Sequence, residues 1–195
     1  MPQQPRAAKT RQRVLDAALE VLAEQGFEAL NTNLVAEVAG VRVATVYRYF
    51  TDKHDVMSAI AEQHLAQLDA WADGLAALAD PSTPLATASR QLVHGYYELL
   101  QQHPAIVELR AAMRAVPALR VLDEQSLDRW QSRLAGALRQ RGSPLKPAEL
   151  RSATRLLTET VCNGADRTLP HGAREAQRRL EALNELTTAY LHTLC

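Results

Sequence analysis

Cysteine is nearly absent: the 195-residue chain has only Cys162 and Cys195. Two thiols make no disulfide framework and fit a reducing cytosol. Aromatic residues are scarce at 5%, and β-branched runs are short, which argues against a sheet protein. No apolar run approaches the length of a bilayer span, and the Pro/Gln-rich start lacks the apolar centre of a signal peptide. An excess of one charge is missing as well, since 22 basic residues face 22 acidic ones. The six histidines (His54, His64, His94, His103, His171, His192) form neither a His-x-x-x-His nor a Glu-x-x-His pair. No Cys-x-x-Cys, glycine-rich phosphate loop or Gly-x-Ser-x-Gly elbow occurs either. The expectation is a soluble cytoplasmic protein that is no enzyme, with no catalytic residues, metal, cofactor or membrane partner.

What is present is helix-forming. Apolar residues make up 47% of the chain, enough for a core, and alanine and leucine dominate them. The balanced charge hides an uneven distribution. Arg6, Lys9, Arg11 and Arg13 stand in the first thirteen residues with no acid among them, and Arg42, Arg48 and Lys53 follow. A neutral chain with a basic patch can still bind nucleic acid.

Helical periodicity runs almost throughout. Val14, Leu15, Ala18, Leu19 and Leu22 make one apolar stripe that ends at Gly26. Asn31 reads as the N-cap of a short second helix holding Val35, Ala36, Val38 and Ala39. Gly40 breaks it, a third helix runs from about Val43 to Phe50, and Asp52 caps a long fourth helix reaching Ala79. Prolines then punctuate the chain at 81, 84, 104, 117, 144 and 147, with helices near 84–102, 104–114, 118–141, 147–167 and 172–193. The fold class is therefore all-α, about nine helices. Residues 1–52 read as a three-helix N-terminal domain and 53–195 as a larger helical body.

The segment Val35–Phe50 has the anatomy of a helix-turn-helix. Ala36 and Ala39 allow close helix approach, Gly40 suits a turn needing positive φ, and Val41 can plug the corner. Val46 and Phe50, four apart, anchor the third helix inward. Arg42, Val43, Thr45, Tyr47, Arg48 and Tyr49 are left towards solvent or the turn. The hydroxyls of Thr45, Tyr47 and Tyr49 can donate to phosphates, and Lys53 adds charge at the start of the fourth helix. Arg42 can reach a guanine edge and Val43 a thymine methyl. Packing for Tyr47 and a plain solvated charge for Arg48 are the competing readings.

Residues 11–57 resemble the N-terminal domain of the TetR family of bacterial regulators. Arg11, Val14–Phe27, Val35-Ala-Glu, Ala39-Gly-Val41, Thr45–Phe50, Lys53 and Asp55 carry the resemblance. It implies an all-helical homodimer that binds a pseudo-palindromic operator, most often a repressor released by a small apolar or amphipathic effector. It also implies phosphate contacts from Asn31, Thr32, Tyr47, Tyr49 and Lys53, and recognition by Arg42, Val43 and Thr45. Arg6 and Lys9 would form an arm on neighbouring phosphates or the minor groove. Arg42 stands where the family usually has a small hydroxyl residue, Ala44 where glycine is frequent, and Leu34 where a polar residue is frequent. The first departure leaves the operator sequence open.

Beyond residue 57 the resemblance is architectural. Ala176, Leu180, Leu183, Thr187, Tyr190 and Leu194 repeat at spacings of three and four, as in a helix–helix seam. Leu150, Ala153, Thr154, Leu157, Val161 and Gly164 make a second stripe. Two such helices per subunit fit a four-helix dimer interface, with Leu157, Val161, Leu180, Leu183, Thr187 and Tyr190 as contacts; monomer core is the competing reading. Trp71, Tyr96, Met113 and Trp130 are the candidate effector lining, although plain core accounts for each alone. Tyr96 shares a face with Leu92 and Leu99, whereas His94 falls on the opposite, solvated side. Two other functions remain open: a ligand-independent accessory DNA-binding factor or activator, and an all-helical enzyme whose site is assembled only in three dimensions.

Overall fold

Alanine and leucine at helical spacing, divided by glycines and prolines, fold into ten helices in the computed structural model, which describes residues 5–73, 76–103 and 105–195. They are α1 Pro5–Ala29, α2 Thr32–Val38, α3 Val43–Tyr47, α4 Lys53–Asp73, α5 Ala76–Ala79, α6 Leu85–Gln101, α7 Ile106–Ala115, α8 Pro117–Gln140, α9 Pro147–Asp166 and α10 Ala173–Leu194. No strand occurs among the described residues.

Local chemistry accounts for the boundaries. Gly26 (φ 76°, ψ 176°) interrupts α1 where the apolar stripe ends, and one further turn follows. The Asn31 side chain accepts from the Leu34 amide at 2.9 Å, which caps α2. Asp52 accepts from the amides of His54 and Asp55 at 2.8 and 3.0 Å, and Asp55 accepts in return from the Thr51 amide at 2.9 Å. These amides hold the Asp52 carboxyl below its usual range. Pro117 and Pro147 open α8 and α9, where a missing amide hydrogen costs no helical bond.

The fourth helix, read as reaching Ala79, is described as α4 to Asp73 and as α5 over Ala76–Ala79. Arg141 supplies four backbone carbonyls with a donor around α5, at Ala77, Leu78, Asp80 and Thr83. Residues 74–75, which the long-helix reading crossed, and Pro104, read as a helix start, lie outside the described residues. The third helix is shorter than expected, because Arg48 and Tyr49 form a turn after Tyr47.

Two compact units arise from two stretches of chain each. The first joins the residues up to His64 with His103–Leu122, and the second joins Leu65–Gln102 with Asp123–Cys195. Within the first, α1 packs on α2 and α7, and α2 on α3. Its core includes Val14, Leu15, Leu22, Val46, Met57 and Leu109, all fully buried. Within the second, α10 packs on α6 and α9 around Leu92, Leu100, Leu150, Val161 and Leu191. The division at 52/53 read from the sequence is one of role, and this one is of packing.

Candidate nucleic-acid interface

The α2–α3 turn is built from backbone bonds. The Gly40 amide donates to Glu37 O and the Val41 amide to Ala36 O, both at 3.0 Å. This pair of bonds is a Schellman motif, which needs a left-handed residue between helix and exit. Gly40 supplies it with φ 62°. From α1, the Arg13 guanidinium reaches across and donates to the Ala39 carbonyl at 2.6 Å. That side chain ties the turn to the first helix.

Beyond the turn, α3 divides into two faces. Val46 and Phe50 are 0% and 2% exposed, so they anchor the helix inward. The Arg11 guanidinium lies 5.2 Å from the Phe50 ring centroid and covers that anchor. Outward, Arg42, Ala44, Tyr47 and Arg48 are exposed, while Val43, Thr45 and Tyr49 are half-buried. Asn31 is exposed and Thr32 half-buried at the start of α2. Thr32 Oγ1 donates to Tyr47 Oη at 3.0 Å, bringing the openings of α2 and α3 together at one polar spot. The Arg48 guanidinium lies 4.9 Å from the Tyr49 ring centroid and donates to its hydroxyl at 2.9 Å. This surface offers hydroxyls and cations with no carboxylate on α3, as a phosphate backbone requires.

Lys53 is engaged elsewhere. Its ammonium lies 4.5 Å from the Phe27 ring centroid and 3.5 Å from the Phe27 carbonyl, so it docks α4 on the end of α1. Arg6 and Lys9, expected as an arm, are exposed and lie within α1. Sequence reasoning counted Arg13 only as charge, and Arg11 as charge and as a point of resemblance. Their place beside the fully buried Val14 and Leu15 was the available sign of a bracing role.

Of the candidate effector residues, three meet. In the second unit Trp71 stacks on Trp130 with centroids 5.2 Å apart, and Tyr96 stands edge-on to Trp130 at 5.3 Å. Trp71 presses on Gly95, where an added Cβ would lie 3.0 Å from the indole. Asp69 accepts from Arg129 at 2.7 Å and Arg133 at 3.1 Å beside this cluster's helices. Met113 belongs to the first unit, 3.7 Å from Arg110 Nη1.

Two polar features escaped the sequence reading. An open groove of about 340 Å³ lies between α6 and α10, lined by residues that include Arg90, His94, Tyr97, Gln177 and Glu181. His94, expected to be solvated, is half-buried there, and its Nε2 is buried without a hydrogen-bond partner. Burial pulls its pKa below the ordinary value. The second feature is His64, which is 2% exposed in the first unit. Burial, with the nearby Arg110 and His103, lowers its pKa to about 3. Among the described residues no group of three or more His, Cys, Asp or Glu could hold a metal, and no helix is long and apolar enough to cross a membrane.

The candidate seam residues divide by burial within one chain. Leu157, Val161, Leu180 and Thr187 are buried, whereas Leu183 and Tyr190 are half-buried. Leu183 meets α9 where Gly164 has no side chain, since a Cβ there would fall 2.8 Å from Leu183 Cδ2. Leu156 on α9 and Leu186 on α10, which the stripes missed, are 55% and 58% exposed.

Comparison with known proteins agrees with this architecture. Residues 14–60 match the family model "Bacterial regulatory proteins, tetR family", and residues 84–191 match "Tetracyclin repressor-like, C-terminal domain". The chain is 42% identical over 65 residues to the HTH-type transcriptional regulator SrpR of Pseudomonas putida, covering 32% of this chain and 30% of that protein. It is 46% identical over 54 residues to the HTH-type transcriptional repressor KstR of Rhodococcus jostii, covering 27% and 26%. These alignments thus span under a third of the relatives' length. A transcriptional regulator from Pseudomonas aeruginosa has the same fold with a TM-score of 0.72 at 16% identity, covering 100% of this chain and 97% of that one. One from Haloarcula marismortui gives 0.72 at 17% identity, covering 96% and 98%.

Proposed function

Because the chain belongs to the TetR family of bacterial regulatory proteins, we propose that it binds a pseudo-palindromic DNA operator as a homodimer and represses transcription until a small molecule releases it. One observation carries the DNA-binding half. The α3 helix turns Val46 and Phe50 into the core and presents Arg42, Tyr47 and Arg48 outward beside Thr32. Phosphate contacts from Asn31, Thr32, Tyr47 and Tyr49 fix the register, while Arg42, Val43 and Thr45 at the opening of α3 read base edges. Arg48 adds phosphate charge. Lys53 contributes by holding α4 to Phe27 and, at that helix start, by its own charge.

The homodimer rests on α9 and α10. Exposed Leu156 and Leu186, with half-buried Leu183 and Tyr190, supply its apolar contacts, backed by Leu157, Val161, Leu180 and Thr187 from within each subunit. Two recognition helices then enter major grooves about one helical turn apart. An apolar or amphipathic effector binds the body between residues 53 and 195, where Trp71, Tyr96 and Trp130 of the second unit offer aromatic surface. It acts by binding the released state more tightly than the DNA-bound one. Helix α4, which carries residues of both units, is the element it displaces.

The test is selection of bound fragments from a genomic DNA pool at moderate salt, followed by small-molecule titration of the best site. Enrichment of an inverted repeat supports the dimeric regulator, and release by a compound supports the sensor. Binding no tighter than to random DNA would reject the operator reading.

A further inference from the structure

Helix α3 is too short to hold its own place. It has five residues, little more than one turn, and a helix of that length depends on what it packs against. Val46 and Phe50 are buried and anchor its far end. The near end, Arg42 to Thr45, has no buried side chain, and Arg42 makes no side-chain cap bond. Its course is therefore set by the turn from α2. In that turn the amides of Ala39, Gly40 and Val41 go back to the carbonyls of Val35, Glu37 and Ala36. The Ala39 carbonyl, at the C-cap of α2, accepts instead from Arg13 Nη2 at 2.6 Å. The same guanidinium lies over Gly40, where an added Cβ would stand 3.5 Å from Nη2. A cation on a carbonyl at a helix C-terminus is favoured by charge assistance and by the helix dipole. Arg13 is itself exposed, whereas Val14, Leu15, Ala18, Val35 and Ala36 supply buried core from α1 and α2.

We propose that Arg13 is a positioning residue for sequence recognition. Its bond to the Ala39 carbonyl fixes the direction in which α3 leaves the turn, and so the reach of Arg42, Val43 and Thr45 to base edges. The proposal rests on the DNA-binding reading above and adds to it a residue from outside α2 and α3. Hydrogen bonds to base edges are directional and weaken steeply when misaligned. Attraction to phosphates is mainly a charge effect and tolerates a small displacement. Loosening the turn therefore costs operator binding more than it costs non-specific binding. A phosphate contact by Arg13 itself would behave differently, because it would strengthen binding to all DNA alike.

The test uses the full chain with two substitutions. Arg13→Met removes the donor and keeps an unbranched stem, and Arg13→Lys keeps both charge and a donor. Binding is measured across a salt series to the best fragment from the genomic selection and to a shuffled copy of it. Amide hydrogen exchange is followed in the free proteins. For Arg13→Met, affinity for the selected fragment should fall at least about tenfold, the loss of one charge-assisted hydrogen bond. Affinity for the shuffled copy should change far less, and the salt slope should stay that of the parent. The Gly40 and Val41 amides should exchange faster, with α1 amides around Val14 unchanged. Arg13→Lys should recover part of the lost affinity. Equal losses on both fragments, with the slope reduced by about one per subunit, would make Arg13 a phosphate contact and overturn the proposal. Parent-like affinity for the selected fragment would overturn it too, as would a general loss of α1 protection that accounts for the weaker binding. A parent that prefers no sequence would defeat the operator reading, and unchanged exchange at Gly40 and Val41 in Arg13→Met would separately defeat the clamp.

Discussion

Under the proposed DNA contacts, single side chains fall into groups that hold the backbone and groups that choose the sequence. Tyr47 receives the Thr32 hydroxyl and stands exposed, as a phosphate contact does. Tyr47→Phe should therefore weaken binding to every DNA sequence by a similar factor. Arg42 is exposed at the N-cap of α3 with no side-chain hydrogen bond to that helix, so its guanidinium is available to a base. Arg42→Ala should instead change the ranking of operator variants, as a competition assay over single-base changes would read. Equal losses for both substitutions on every variant would remove Arg42 as a base reader. His64 gives a prediction in acid. Its pKa in the folded chain, about 3, lies below the ordinary 6.5, so the unfolded chain takes up the proton first. Stability should then fall by about 1.4 kcal/mol per pH unit as pH drops below 6.5. His94 and His103, also lowered, act in the same sense. Chemical denaturation between pH 7 and 5 should show the loss, and His64→Leu should remove most of it.

At the scale of elements, what was legible followed from local chemistry. Asn31 and Asp52 announce their helices because a short side-chain acceptor before an apolar period is itself the cap. Asn31→Ala should cost about 1 kcal/mol in denaturant unfolding, and it should loosen the start of the helix that holds Thr32. Gly40 was legible because few other residues take φ near 62°. The end of that helical stretch at residues 77–83 was not, since its carbonyls find their donor on Arg141, some sixty residues away. Helix α10 was half legible. Its period marks an apolar helix, but it cannot say which stripe faces α6 and α9: Ala176, Leu180, Thr187 and Leu191 turn inward, and Leu186 turns out. His64, in the middle of an ordinary helical pattern, shows its orphan atom only once α7 and its leading turn are in place.

For the whole molecule, oligomeric state is the property to measure. Leu156→Glu and Leu186→Glu place charge on side chains that are more than half exposed in one chain, so the subunit should fold. The pair should convert a dimer to a monomer in light scattering and cost operator affinity steeply, because two linked heads bind with a high effective concentration. An unchanged molar mass would move the dimer face away from these leucines.

The packing of α7 on α1 has a consequence for synthesis. The head that grips DNA is not finished when its recognition helix emerges from the ribosome, because α1 still lacks a neighbour encoded some forty residues downstream of His64. Nascent chains arrested before Leu122 should leave that face of α1 open to chaperones or proteases. For the same reason a head grafted onto another body by cutting at α4 alone would leave half of its own foundation behind.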